Sequence, residues 1–235
     1  MPLLEVINLE VYYNNFHALS SISITLERGE IVSIVGPHGS GKSTLLSTIQ
    51  GLTKPAKGII RYMGKRIDGL SPDRIVEMGI VYVPEGRRLF PSLTVKENLE
   101  MGAYNKRARP EMEKTLHACY DLFPILRTKS DHKASTLSAG EQQMLAIARG
   151  LMAKPLLMLL DEPFQGLSPS TVGRLCDTIK TIRDGGVSFI IVGQRVQRIL
   201  KLGDRGYVLL DGRVYREGKT DDLLDDESIR HILLE

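Results

Sequence analysis

Residues 36–44, GPHGSGKST, constrain this chain more than any other feature. They match the pattern G-x-x-x-x-G-K-[ST], standing between a short apolar run, 30–35, and a segment, 44–51, with helical apolar spacing. Strand, glycine turn and helix in that order give the pattern a physical meaning. Glycines let consecutive backbone N–H groups converge on one point, the helix presents its positive end there, and a lysine adds full charge. Such a loop suits a chain of phosphates. Gly36, Pro37, His38, Gly39, Ser40, Gly41 and Thr44 would form the cradle, Lys42 would reach the β- and γ-phosphates, and Ser43 would ligate Mg²⁺. A random chain of this length shows the pattern with a probability on the order of one in a hundred.

The complementary acid comes from residues 156–160, a very apolar strand that ends in Asp161-Glu162. A buried strand can carry a carboxylate to a phosphate site. Asp161 fits the role of holding Mg²⁺ and its waters, and Glu162, one residue on, fits a general base that polarises an attacking water. Charged strand ends are common, so this pair has meaning only beside the upstream loop.

The remaining pattern alternates between strand and helix around a helical middle. Residues 4–11 and 17–26 read as strands, 58–63 with 65–66 as a hairpin, and 80–83 as a strand closed by Pro84. Ser71 and Pro72 open a short helix that ends at Gly79. From 93 to 152 the spacing is helical, and Thr94 with Glu97 and Ser138 with Glu141 fit capping boxes. A helix at 169–183, a strand at 187–192, a short helix, a hairpin turning at Asp211-Gly212 and terminal helical segments complete the chain. An α/β core with a helical insertion near 86–153 follows.

Within that insertion, 137–143 reads LSAGEQQ and resembles the LSGGQ signature of ABC-type ATPases, at the place between phosphate loop and acidic strand where that family carries it. The resemblance covers essentially the whole chain. It implies one nucleotide-binding unit over 1–235: a P-loop NTPase core of ABC-ATPase type with an antiparallel β subdomain (1–85 and 154–235) and an inserted α-helical subdomain (about 86–153). It also implies an ATP sandwich, in which the signature helix of one subunit faces the γ-phosphate held by the loop of another. Ser138 would bond that phosphate, Gly140 would allow close backbone approach, and Ala139 and Glu141 complete the motif, with Ala139 replacing the usual glycine. Tyr13 matches the aromatic that stacks on adenine, with Tyr12 as neighbouring alternative. Glu85 stands where most members have a glutamine that senses Mg²⁺ and the permease. Gln194 stands where they have a histidine near the γ-phosphate, and Ser168 where many have aspartate.

PEGRR, that glutamine and the GL-x-P run after the acidic strand are similar to the second ATPase of branched-chain amino-acid importers; Gly193 and Arg195 depart from its pattern. The resemblance implies transmembrane permease subunits as partners, a second ABC ATPase (paralogue or self), and indirectly a solute-binding protein. Its expected location is the cytoplasmic face of the membrane, as a peripheral subunit without a span of its own. Urea or short amides are alternative solutes. A soluble regulatory ATPase would need an insertion or second domain for which 235 residues leave no room. An ATP-holding module without hydrolysis is disfavoured by intact Lys42, Ser43, Asp161 and Glu162, and a small-molecule kinase leaves LSAGEQQ unexplained. The formal charge of +3 is too small and interspersed for nucleic acid. The two cysteines, Cys119 and Cys176, lack metal-site spacing and read as buried thiols.

Overall fold

Two sheets divide the strands. The computed structural model describes residues 1–229. In chain order these form β1 (Leu4–Tyr13), β2 (Phe16–Leu26), β3 (Ile31–Val35), α1 (Lys42–Ile49), β4 (Lys57–Tyr62), β5 (Lys65–Arg66), α2 (Pro72–Met78), β6 (Ile80–Val83), α3 (Val95–Gly102), α4 (Met112–Leu122), α5 (Pro124–Thr128), α6 (Ala139–Met152), β7 (Leu157–Asp161), α7 (Pro169–Asp184), β8 (Ser188–Gly193), α8 (Val196–Leu200), β9 (Arg205–Leu210), β10 (Arg213–Lys219) and α9 (Thr220–Asp225). The first sheet is antiparallel with order β2-β1-β4-β5. The second has order β10-β9-β3-β8-β7-β6, parallel except for the β9–β10 hairpin at one edge.

Every residue of β3, β7 and β8 is buried, and alternate side chains go to opposite faces. Val35, Met158, Leu160, Phe189 and Ile191 join one core with residues of α3 to α7 such as Leu99, Leu145 and Leu175. Val32, Ile34, Leu157, Leu159 and Ile190 join a second core with α1 and the antiparallel sheet. A sheet covered on both faces explains why these strands read as continuous apolar runs instead of alternating. Each buried aliphatic side chain contributes about 1.5–3 kcal/mol of transfer free energy.

Four parallel strands therefore deliver their carboxyl ends to one edge: β3 to the loop at Gly36, β8 to Gln194, β7 to Glu162 and β6 to Glu85. That edge is where open α/β sheets bind ligands. Element boundaries lie close to those read from the sequence, with one consequential shift. α1 begins at Lys42, two residues before the expected start at Thr44, because Gly41 (φ 98°) caps it and places Lys42 and Ser43 on the first turn. Apolar spacing reports only the buried Leu45, Leu46 and Ile49 and so misses a polar first turn. The helical middle holds four separate α-helices, with Pro124 starting α5. Both expected capping boxes are present, and the β9–β10 turn is at Asp211-Gly212, both with positive φ as a two-residue hairpin turn requires.

Candidate active site

The phosphate loop is shaped by its glycines. A side chain at Gly41 would be strained at φ 98° and would meet Leu19 and the carbonyl of Ala18. No side-chain hydrogen bond caps α1, which leaves the N–H groups of its first turn available to an anion. Lys42 is buried; its ammonium donates to the carbonyls of Gly36 (2.8 Å) and Pro37 (2.7 Å) and to Ser40 Oγ (3.3 Å). Burial lowers its pKa, against the opposing charges of Glu162, Asp161 and Glu85.

The acids converge as expected. Ser43 Oγ donates to Asp161 Oδ1 at 3.1 Å, and the Tyr82 hydroxyl donates to Asp161 Oδ2 at 2.8 Å. Burial pushes the Tyr82 pKa far above its usual value, so the phenol stays a donor. Burial also raises Asp161, against the bonds from Tyr82 and Ser43 that pull it down. Glu162 has φ 45°, a left-handed conformation uncommon outside glycine. Its N–H donates to Val192 O at 2.9 Å and its Oε2 accepts from the Gln194 N–H at 3.3 Å. Burial raises its pKa as well, the direction that brings a carboxylate toward general-base use near neutrality.

These groups open onto a cleft of about 260 Å³ lined by Lys42, Ser43, Thr44, Glu85, Glu162 and Gln194, with His38, Gly39 and Gly41 on the loop side. Pro37 is exposed at the loop tip; Gly36 and Ser40 are buried behind the loop. Lys42, Ser43, Asp161, Glu162 and Glu85 are thus brought together.

The signature residues are not. Ser138 caps α6, its Oγ accepting from the Glu141 N–H at 3.3 Å, and Glu141 Oε2 accepts from the Ser138 N–H at 2.9 Å. Lys129 donates to the other oxygen of Glu141 at 2.7 Å. Burial raises the Glu141 pKa, but the bonds from Lys129 and Ser138 outweigh it and hold the carboxyl below its usual range. Both Glu141 oxygens are therefore engaged within the chain, on a residue that the signature resemblance expects to face a nucleotide. Gly140 has an internal reason too: a Cβ there would lie 2.9 Å from Thr171 Cγ2 on α7. Ala139 is the exposed first residue of α6. Ser138, Gly140 and Glu141 border a separate cavity of about 570 Å³ between α4, α5, α6 and α7, which shares no lining residue with the nucleotide cleft.

The ABC transporter profile matches residues 19–165. The chain is 42% identical over 229 residues to the high-affinity branched-chain amino acid transport ATP-binding protein BraG of Pseudomonas aeruginosa, covering 96% of this chain and 97% of BraG. The chain belongs to the ABC transporter family. Among other members it is 37% identical to a probable branched-chain amino acid transport ATP-binding protein, LivF, of Archaeoglobus fulgidus, covering 99% of this chain and 98% of that one. The ADP conformation of an ATP-binding cassette of an ABC transporter superposes with a TM-score of 0.87 at 28% identity, covering 100% and 99% of the two chains. A dimeric cassette in a post-hydrolysis state with ADP and Pi superposes at 0.80 with 30% identity, covering 92% and 98%.

This ABC ATPase has features at the cleft mouth that only its tertiary structure decides. Tyr13 lines the cleft, its hydroxyl 3.4 Å from Thr53 Oγ1. Tyr12 instead stacks on His17, the rings 4.2 Å apart and 8° from parallel. Phe16, 66% exposed beside Tyr13, is a second aromatic wall that sequence reasoning missed by starting the second strand at His17. The signal available in the sequence was an aromatic directly after the Asn14-Asn15 turn residues. Gln194 Nε2 lies 3.4 Å from His38 Nδ1, so the phosphate loop places an imidazole beside the amide. Ser168 caps α7, its Oγ accepting from the Thr171 N–H at 3.3 Å. Tyr82 reads in the sequence as an ordinary strand residue two positions before Pro84.

Proposed function

We propose that this chain is the ATP-hydrolysing subunit of an importer for branched-chain amino acids, working against a second ABC ATPase subunit on the cytoplasmic face of the membrane. The carrying observation is the separation of two half-sites: the phosphate loop with its acids opens on one cleft, and the capped start of α6 borders another. A facing subunit would complete each, presenting its Ser138 hydroxyl and helix N-terminus to the terminal phosphate gripped by Lys42. The similarity to BraG along nearly the full chain supports the solute. Among the described residues no helix is long and apolar enough to cross a membrane, so permease subunits would supply the pathway.

Within the cleft, Tyr13 and Phe16 would bracket the adenine, and the loop N–H groups and Lys42 would hold the phosphates. Ser43 and Glu85 line the cleft and Asp161 lies just behind Ser43 at 3.1 Å, a set of hard oxygen donors that fits Mg²⁺, which takes much of its shell from phosphate and water. When bound, Mg²⁺ neutralises charge on the β- and γ-oxygens. Glu162, held by the Gln194 N–H, takes the proton of the attacking water, and Gln194 and His38 face the same end of the cleft. Closure of the two subunits on ATP would drive the permease, and hydrolysis would release it.

The test is Glu162→Gln in the subunit co-purified with its membrane partners. Steady-state phosphate release should fall at least ~100-fold while ATP still binds and a nucleotide-bound dimer accumulates. An unchanged rate would remove Glu162 from the role of base.

A further inference from the structure

The hydroxyl of Tyr82 ends on the carboxylate assigned to the cation. Tyr82 pairs with Leu159 across the β6–β7 ladder, so the two share a face, and Asp161 lies two residues further along β7 on that face. Two residues of strand rise about 6.6 Å, a span that a phenol ring and its oxygen can cover. Tyr82 accordingly leans along the sheet and meets Asp161 Oδ2 at 2.8 Å, while Ser43 meets Oδ1 at 3.1 Å. Asp161 is 3% exposed, so these two donors, one on each oxygen, fix the plane of a carboxylate that solvent barely reaches. Tyr82 also lines a groove with Arg88, Phe90 and Met101 that shares no lining residue with the nucleotide cleft.

We propose that Tyr82 is a positioning residue for Mg²⁺, orienting the Asp161 carboxylate so that its free lone pairs face the cation or the cation's water. The proposal rests on the reading of the cleft as a Mg-ATP site. A neighbour that orients a metal-bound carboxylate contributes to metal affinity without touching the metal, commonly by about 10-fold or more. Tyr82→Phe removes the oxygen and keeps the ring, so the packing of β6 persists.

The test compares wild type and Tyr82→Phe in two titrations: Mn²⁺ binding to the ADP-loaded protein, read from the electron paramagnetic resonance signal of free Mn²⁺, and ADP binding in EDTA. The expected result is Mn²⁺ affinity weakened about 10-fold in the variant, with metal-free ADP affinity within 2-fold of wild type. Unchanged Mn²⁺ affinity, or equal loss in both titrations, overturns the proposal, since equal loss marks a packing role. Wild-type protein that binds no Mn²⁺ with ADP would instead overturn the Mg-ATP reading beneath it.

Discussion

Gly102 is where α3 touches α6, and substituting it should disturb the helix that carries Ser138. A Cβ at this position would lie 2.1 Å from the Arg149 carbonyl oxygen and 2.8 Å from Met152 Cβ. A carbon and a carbonyl oxygen need about 3.3 Å, so Gly102→Ala forces the two backbones apart by roughly 1.2 Å. No side-chain rotation relieves a clash with backbone. Overpacking costs about 1–3 kcal/mol, and a clash against backbone that no rotamer relieves belongs at the upper end, about 2–3 kcal/mol, while replacing glycine in a helix returns at most about 1 kcal/mol. The net loss is about 1–2 kcal/mol, or roughly 2–8 °C in Tm for a domain of this size. Thermal unfolding of the nucleotide-free subunit measures it. Because Arg149 also donates to the Arg87 carbonyl at 3.2 Å and lies over the Phe90 ring, the displacement should reach the segment after Glu85. A variant as stable as wild type, or more so, would show that helix propensity outweighs the close approach and would refute the argument.

Ser138→Ala removes the N-cap of α6 and should cost about 1 kcal/mol in urea unfolding, with a larger proportional loss of phosphate release when the partner subunit is present; unaltered phosphate release would deny the hydroxyl its place at the facing phosphate. Glu162→Gln should stabilise the nucleotide-free protein at pH 8, because burial raises the pKa of Glu162 and so makes its ionised form costly in the folded state. A raised carboxyl binds more protons folded than unfolded, so wild-type stability from this group falls as pH rises from the ordinary carboxylate range through the raised value. The advantage of the variant should therefore shrink on acidification through that window; an advantage independent of pH would contradict it.

Much of the site was legible before folding was considered. GPHGSGKST, Asp161-Glu162 and LSAGEQQ are local patterns whose chemistry depends on residues within a few positions of one another, and capping boxes are equally local, so Ser138 with Glu141 could be placed from spacing alone. The apolar runs at 30–35, 156–160 and 187–192 read as strands in the sequence, and the structure buries β3, β7 and β8 on both faces. The start of α1 was misplaced by two residues because a lysine and a serine on the first turn carry no apolar signal.

Other features depend on which strands become neighbours. Nothing local brings Tyr82 to Asp161, which is 79 residues away, or His38 to Gln194, 156 residues away; both contacts exist because β6 lies beside β7 and β8 beside β3. That Tyr13 and not Tyr12 lines the cleft follows from which face of β1 turns toward Thr53, and the tight space at Gly140 from how closely α7 approaches α6. Sequence determined the chemical groups and their local geometry, since those follow from backbone spacing. Long-range packing decided which groups meet, because contact across a sheet is set by strand order and register, and neither is written in any short stretch of the chain.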